Sequence, residues 1–128
     1  MWIWTRRIHM AKILVVEDEP DIAETLQALL SAKKHSVKVC LDSREAVGMA
    51  DGFDLILLDL MMPLMSGEDV LKELRAKKVK TPVILMSAIG SLGEKERGIT
   101  GRYPGVGFIL KPEFAEKIDA AIKAALKK

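Results

Sequence analysis

Cysteine is almost missing from this chain: Cys40 is the only one in 128 residues. No disulfide can form within the chain, so a free thiol behaving as a small buried hydrophobe in a reducing cytoplasm is the expectation. Charge of one sign is missing as well. The net charge is +2, from 20 basic and 18 acidic residues. Arg6 and Arg7 account for the whole excess, which leaves residues 10–128 with no basic field to attract nucleic acid. No apolar run approaches the roughly 18 residues that a membrane helix needs. A secretory signal is also lacking, because Met-Trp-Ile-Trp-Thr-Arg-Arg-Ile-His places its aromatic residues before its charges. The paired arginines could open a twin-arginine signal, but Glu17, Asp18 and Glu19 cut the following apolar stretch too short. Residues 1–9 are read as an N-terminal extension or expression remnant and residues 10–128 as one domain. His9 falls in the extension and His35 in a loop, so neither is expected to bind metal. There is no internal repeat, linker or low-complexity segment.

What is present is a set of short apolar runs that end abruptly. Lys12–Val16 is β-branched and apolar, and Glu17, Asp18, Glu19 and Pro20 stop it. Pro20 suits the first turn of a helix, whose apolar stripe is Ile22, Leu26, Leu29 and Leu30. Val37–Leu41 is expected as a second strand, and Asp42 with Glu45 as a capping box for a short helix through Ala50. Leu55–Leu58 is an unbroken apolar run ending on Asp59, as in a strand buried on both faces of a parallel sheet. Ser66 and Asp69 mark a third helix with an apolar face of Val70, Leu71 and Leu74. Pro82–Ser87 and Val106–Leu110 supply two more strands, and Phe114, Ile118, Ala121, Ile122 and Ala125 stripe a last helix. Strands alternating with helices in this way argue for a five-stranded, doubly wound parallel α/β sheet. The fourth helix is the weak point. Six of the nine glycines lie between Gly90 and Gly107, and each one inside a helix costs about 1 kcal/mol relative to alanine. That segment should be short or loosely held.

On such a sheet the carboxyl ends of the strands form one rim, where ligands bind. The rim receives Glu17 and Asp18 from the first strand, Asp59 from the third, Ser87 from the fourth, and Lys111 before Pro112 from the fifth. Three carboxylates in one crevice repel one another unless they are neutralised. A hard divalent cation does this, and Mg²⁺, which takes one or two carboxylates plus a phosphate, suits the set best. Lys111 adds a point cation and Ser87 a hydroxyl donor. Together they suit the spread charge of a phosphoryl group in transfer. Asp59, on the central strand, is the carboxylate best placed to attack phosphorus.

These residues occur in four motifs: Ile-Leu-Val-Val-Glu-Asp-Glu-Pro, Asp-Leu-Ile-Leu-Leu-Asp-Leu-Met-Met-Pro-Leu-Met-Ser-Gly, Pro-Val-Ile-Leu-Met-Ser-Ala and Phe-Ile-Leu-Lys-Pro. With them the chain resembles the receiver domain of bacterial two-component response regulators, in particular single-domain members of the chemotaxis type. The resemblance implies a flavodoxin-like (βα)5 fold with strand order 2-1-3-4-5. It implies that Asp59 accepts a phosphoryl group from a sensor histidine kinase or phosphotransfer protein. Glu17, Asp18, Asp59 and the backbone carbonyl of Met61 would arrange Mg²⁺. Ser87 and Lys111 would hold the phosphoryl oxygens while the receiver assists its own phosphotransfer and dephosphorylation. Phe108 would turn inward as Ser87 is drawn to the phosphate, passing the signal to a downstream protein. A cis bond between Lys111 and Pro112 and a monomer or weak dimer are further expectations.

Two departures from the family stand out. The segment from Gly90 to Gly107 matches the usual alanine-rich fourth helix and acidic loop poorly, which leaves the output partner open. Glu113 stands where many members have phenylalanine, with Phe114 one position later. Met61 and Ile89, each two residues beyond a pocket residue, are apolar and should shield the phosphoryl group, giving a long-lived aspartyl phosphate. Three alternatives differ in kind. A phosphatase resembling the haloacid dehalogenase superfamily would need an acid/base where Met61 stands. A flavin-binding module would need hydroxyls and amides where Glu17, Asp18 and Glu19 stand. A degenerate receiver would dock without phosphorylation. Because the chain stops after its fifth helix, it is read as a stand-alone regulator or phosphorelay intermediate.

Overall fold

The computed structural model describes residues 10–88 and 93–127; the extension and Ile89 fall outside them. Strands β1 (Lys12–Val16), β2 (Ser36–Cys40), β3 (Leu55–Asp59), β4 (Val83–Ser87) and β5 (Gly107–Leu110) form one parallel sheet in the order β2-β1-β3-β4-β5. Helices α1 (Pro20–Ala32), α2 (Ser43–Met49), α3 (Gly67–Ala76), α4 (Gly93–Arg102) and α5 (Phe114–Leu126) connect or follow the strands, and a 3-10 turn, Lys111–Glu113, leads into α5. This is the flavodoxin-like arrangement that the motifs imply.

Alternation along each strand divides the core in two, because successive side chains point to opposite faces. Leu14, Val16, Ile56, Leu58 and Leu85 pack with Ala46 of α2, Val70, Leu71 and Leu74 of α3 and Ile99 of α4. Ile13, Val15, Leu55, Leu57 and Ile84 pack with Leu26 and Leu30 of α1 and Ile118 and Ile122 of α5. β3 is buried throughout, as its unbroken apolar run requires.

Helix ends follow local chemistry. Pro20 sits in the first turn of α1. At the other end of that helix, Lys34 takes φ 75° while the His35 and Lys34 N–H groups reach the Leu30 and Ser31 carbonyls, a Schellman cap. α3 ends the same way at Lys78 and begins at Ser66 and Asp69 as expected, the two residues forming a capping box. α2 differs from expectation. Asp42 accepts from the Arg44 N–H at 2.9 Å, and the Arg44 guanidinium closes on its carboxylate at 2.7 Å, in place of a box with Glu45. β2 also runs one residue earlier than its apolar pattern suggests. Ser36 pairs with Lys12, whereas Leu41 lies beyond the ladder and is exposed. Cys40 is buried, and burial raises its thiol above the usual range.

Candidate functional site

All five strands point their carboxyl ends to one rim, and the parallel register brings the pocket residues level there. Glu17 follows β1 directly, its N–H bonded to the Cys40 carbonyl of β2 at 3.1 Å. Asp59 is the last residue of β3 and pairs in register with Met86, one position before Ser87. Ser87 in turn pairs with Leu110, one position before Lys111. Each polar residue comes at the end of an apolar strand, so the sheet delivers them without further loop structure.

Carboxylate oxygens of Glu17, Asp18 and Asp59 all lie within 4.8 Å of one another. Lys111 Nζ bridges two of them, at 2.8 Å from Glu17 Oε1 and 3.2 Å from Asp59 Oδ2. The Met61 N–H donates to Asp59 Oδ1 at 3.3 Å and the Glu19 N–H to Glu17 Oε2 at 3.2 Å. Asp59 is 2 % exposed and Glu17 fully buried, so both form the floor of the pocket. Burial is the main reason that the Glu17 carboxyl is pushed up to about 7. Lys111 pulls it down, the Asp59 charge pushes it further up, and the Glu19 N–H acts with Lys111. Burial acts to lower Lys111, but its contacts with Glu17 and Asp59 outweigh that and hold the ammonium above its usual range.

One cation among three clustered carboxylates leaves negative charge uncompensated, and although Lys111 is in ion-pair range of Glu17 Oε1, no aligned hydrogen bond reaches that buried atom. An all-oxygen, partly dehydrated set of this kind fits a hard divalent ion, Mg²⁺ before softer metals. The sequence-predicted residues Glu17, Asp18, Asp59 and Lys111 are thus gathered at one point. Ser87 is buried on the same rim and donates to the Ala88 carbonyl at 3.1 Å. Phe108 is half-buried on β5, paired in register with Leu85 and packed against the α2–α3–α4 side of the core. The expected cis bond before Pro112 is not found. No described peptide bond is cis, and Pro112 sits trans inside the turn Lys111–Glu113, the isomer X–Pro bonds ordinarily favour.

Two features of the rim escaped the sequence reading. Gly67 opens α3 so close to the end of β3 that a Cβ there would overlap the Asp59 carbonyl oxygen and stand 2.8 Å from Leu60 Cα. Its signal was the bare Ser-Gly pair, legible as a turn but not as a close approach. Leu64 is the second. The Met65 N–H bonds back to the Pro63 carbonyl at 2.7 Å across Leu64, whose φ is 69°, forming a γ-turn.

A family model described as the response regulator receiver domain matches residues 13–123. The chain is 33 % identical over 120 residues to the transcriptional regulatory protein TcrA of Mycobacterium tuberculosis, covering 92 % of this chain and 47 % of that protein. It is 40 % identical over 118 residues to the transcriptional regulatory protein YkoG of Bacillus subtilis, covering 90 % and 50 %. The chain therefore spans about half the length of these relatives. Among solved structures, the chemotaxis protein CheY4 of Vibrio cholerae superposes with a TM-score of 0.80 at 27 % identity, over 91 % of this chain and 99 % of that one.

Proposed function

The chain belongs to the response regulator receiver domain family, and from that membership we propose that Asp59 is its phosphoacceptor, within a receiver unit spanning residues 10–128. Receiver domains act as phosphoacceptors, bind Mg²⁺ at an acidic pocket, and interact with histidine kinases and downstream effectors. The observation that carries the proposal is the buried Asp59 carboxylate in contact with Lys111 and within 4.8 Å of the oxygens of Glu17 and Asp18.

In the proposed reaction an Asp59 oxygen attacks phosphorus as the P–N bond of a phosphohistidine donor breaks, giving an aspartyl phosphate. Glu17, Asp18, Asp59 and the Met61 carbonyl would hold Mg²⁺, which when bound offsets the negative charge of the phosphoryl oxygens. Lys111 holds one phosphoryl oxygen after exchanging its carboxylate partner, and Ser87 exchanges its bond to the Ala88 carbonyl for a bond to another. The phosphoryl group brings up to about two negative charges and several acceptors, so it recruits donors of this kind. Movement of Ser87 frees space beside β5 that the Phe108 ring can fill. Phe108 has no hydroxyl, so turning inward buries no unpaired oxygen, and the changed surface is read by a downstream protein.

Incubation with acetyl phosphate and Mg²⁺, followed by intact mass, tests the proposal. Wild type gains one base-labile phosphate and Asp59→Asn gains none. No mass gain in wild type rejects the proposal and favours docking independent of phosphorylation. Met61 stands exposed at the mouth, and polar replacement of Met61 and Ile89 should shorten the half-life of the aspartyl phosphate.

A further inference from the structure

Carboxylates gather at one pole of the sheet, while the opposite pole buries a titratable ring that the phosphoacceptor reading does not use. His35 is 8 % exposed and lies between the end of α1 and the start of β2. Its Nδ1 accepts the Ala11 N–H at 3.0 Å. Its own backbone N–H donates to the Leu30 carbonyl at 3.2 Å in the cap of α1, and the Ala11 carbonyl accepts the Ser36 N–H at 2.9 Å. The ring therefore ties the approach to β1 to the turn between α1 and β2. A ring nitrogen that accepts an N–H carries no proton, so this geometry requires a neutral imidazole with its proton on Nε2.

The surroundings oppose a second proton. His35 lines a cleft of about 400 Å³ with Lys33, which follows α1, and with Asp119, Ala120, Ile122 and Lys123 of α5. Asp119 is already paired with Lys33 at 3.0 Å, and Lys123 is a further cation. Lys34 adjoins the ring in the chain, whereas Ala11 before β1 and Ser36 in β2 carry no charge. One residue beyond Ala11, the Lys12 N–H is held by the Asp54 carboxylate at 2.8 Å. A protonated ring would be a third cation lining the cleft against one carboxylate, and its Nδ1 proton would face the Ala11 N–H. Ala11 is 5 % exposed, so the displaced donor would be left away from bulk water.

We propose that His35 is an acid-sensitive clasp, which holds the start of β1 against the α1–β2 turn while the ring is neutral and releases it on protonation. The unfolded chain takes up the proton near pH 6.5 and the clasped fold does not. The contribution of the clasp is therefore full above about pH 6.5 and declines as pH falls below it. It is independent of any chemistry at Asp59.

Urea unfolding at pH 8 and pH 5 tests this on wild type and His35→Asn, whose amide oxygen can take the place of Nδ1 as acceptor and does not titrate. Between those conditions the unfolding equilibrium constant of wild type should rise about thirtyfold more than that of His35→Asn, the factor at pH 5 for a group protonated near pH 6.5 only in the unfolded chain. Glu17 and the other titrating groups are common to both proteins and cancel. An equal response to pH overturns the inference. Should His35→Asn fail to fold, ring titration by NMR in His9→Gln decides the matter, because His35 is then the only histidine in the chain. A ring still neutral at pH 5.5 in the folded protein supports the clasp, and one half-protonated near pH 6.5 overturns it.

Discussion

Helices α3 and α4 are each ten residues long, and each follows a strand that ends on a pocket residue, yet they are held very differently. α3 carries a complete capping box, buries Gly67, Val70, Leu71 and Leu74, and starts against the backbone of Asp59 and Leu60. α4 has Gly98 and Gly101 in its interior, and from residue 96 onward buries only Ile99. Its last turn is tied to α3 by an Arg102–Glu68 ion pair on the surface, a kind of contact that contributes little. The element behind the carboxylate is thus fixed by packing, while the element behind the hydroxyl is held at few points. α4 should therefore open locally more readily than α3, since local stability follows the number of buried contacts.

The sharpest way to break this contrast is to truncate one anchor in each helix. Leu71→Ala should lower global stability by about 4 kcal/mol, measured by denaturant unfolding. Ile99→Ala should lower it by no more than about 2 kcal/mol and chiefly raise amide exchange across α4, because that helix can detach without the rest. Equal losses would put the two helices on the same footing. Next in size is Gly67→Ala, whose added methyl meets backbone rather than a yielding side chain; about 2 to 3 kcal/mol should be lost, with slower loading of Asp59.

A smaller effect of opposite sign is expected at Gly101, where a Cβ would meet nothing within 4 Å. Gly101→Ala should stabilise α4 by about 1 kcal/mol and slow its amide exchange. The smallest effect belongs to α2, the third helix on this face, whose cap is charged where Ser66 is neutral. The side-chain bond from Arg44, and then its N–H, hold the Asp42 carboxyl down at about 2 from an ordinary 3.8. A folded-state value below the unfolded one stabilises at higher pH, so the contribution is present above about pH 4 and fades as pH falls through about 2. Arg44→Ala should flatten the thermal midpoint across that window.

Much of the fold was legible because apolar runs and their stops are local. β1 and β3 fall where the runs Lys12–Val16 and Leu55–Asp59 put them, and α3 begins at its Ser66 signal. β2 was misread by one residue, since Leu41 reads as strand although it is exposed, whereas Ser36 belongs to the ladder through its pairing with Lys12. Pairing is a tertiary fact that side-chain polarity does not encode. The gathering of Glu17, Asp18, Asp59 and Lys111 was legible for a different reason: parallel strands all finish on one rim, so residues at strand ends meet whatever their spacing in the chain.

By itself, the sequence determined which residues could carry charge at the strand ends and that glycine would crowd the segment around α4, because composition and periodicity are properties of the chain alone. Only the tertiary structure decided that Lys111 bridges Glu17 and Asp59, that Gly67 leaves no room for a methyl group, and that Leu64 stands exposed on a γ-turn. The first two depend on how closely separate stretches of backbone approach, which packing across the sheet sets; the third depends on a local turn whose central side chain no neighbouring element covers.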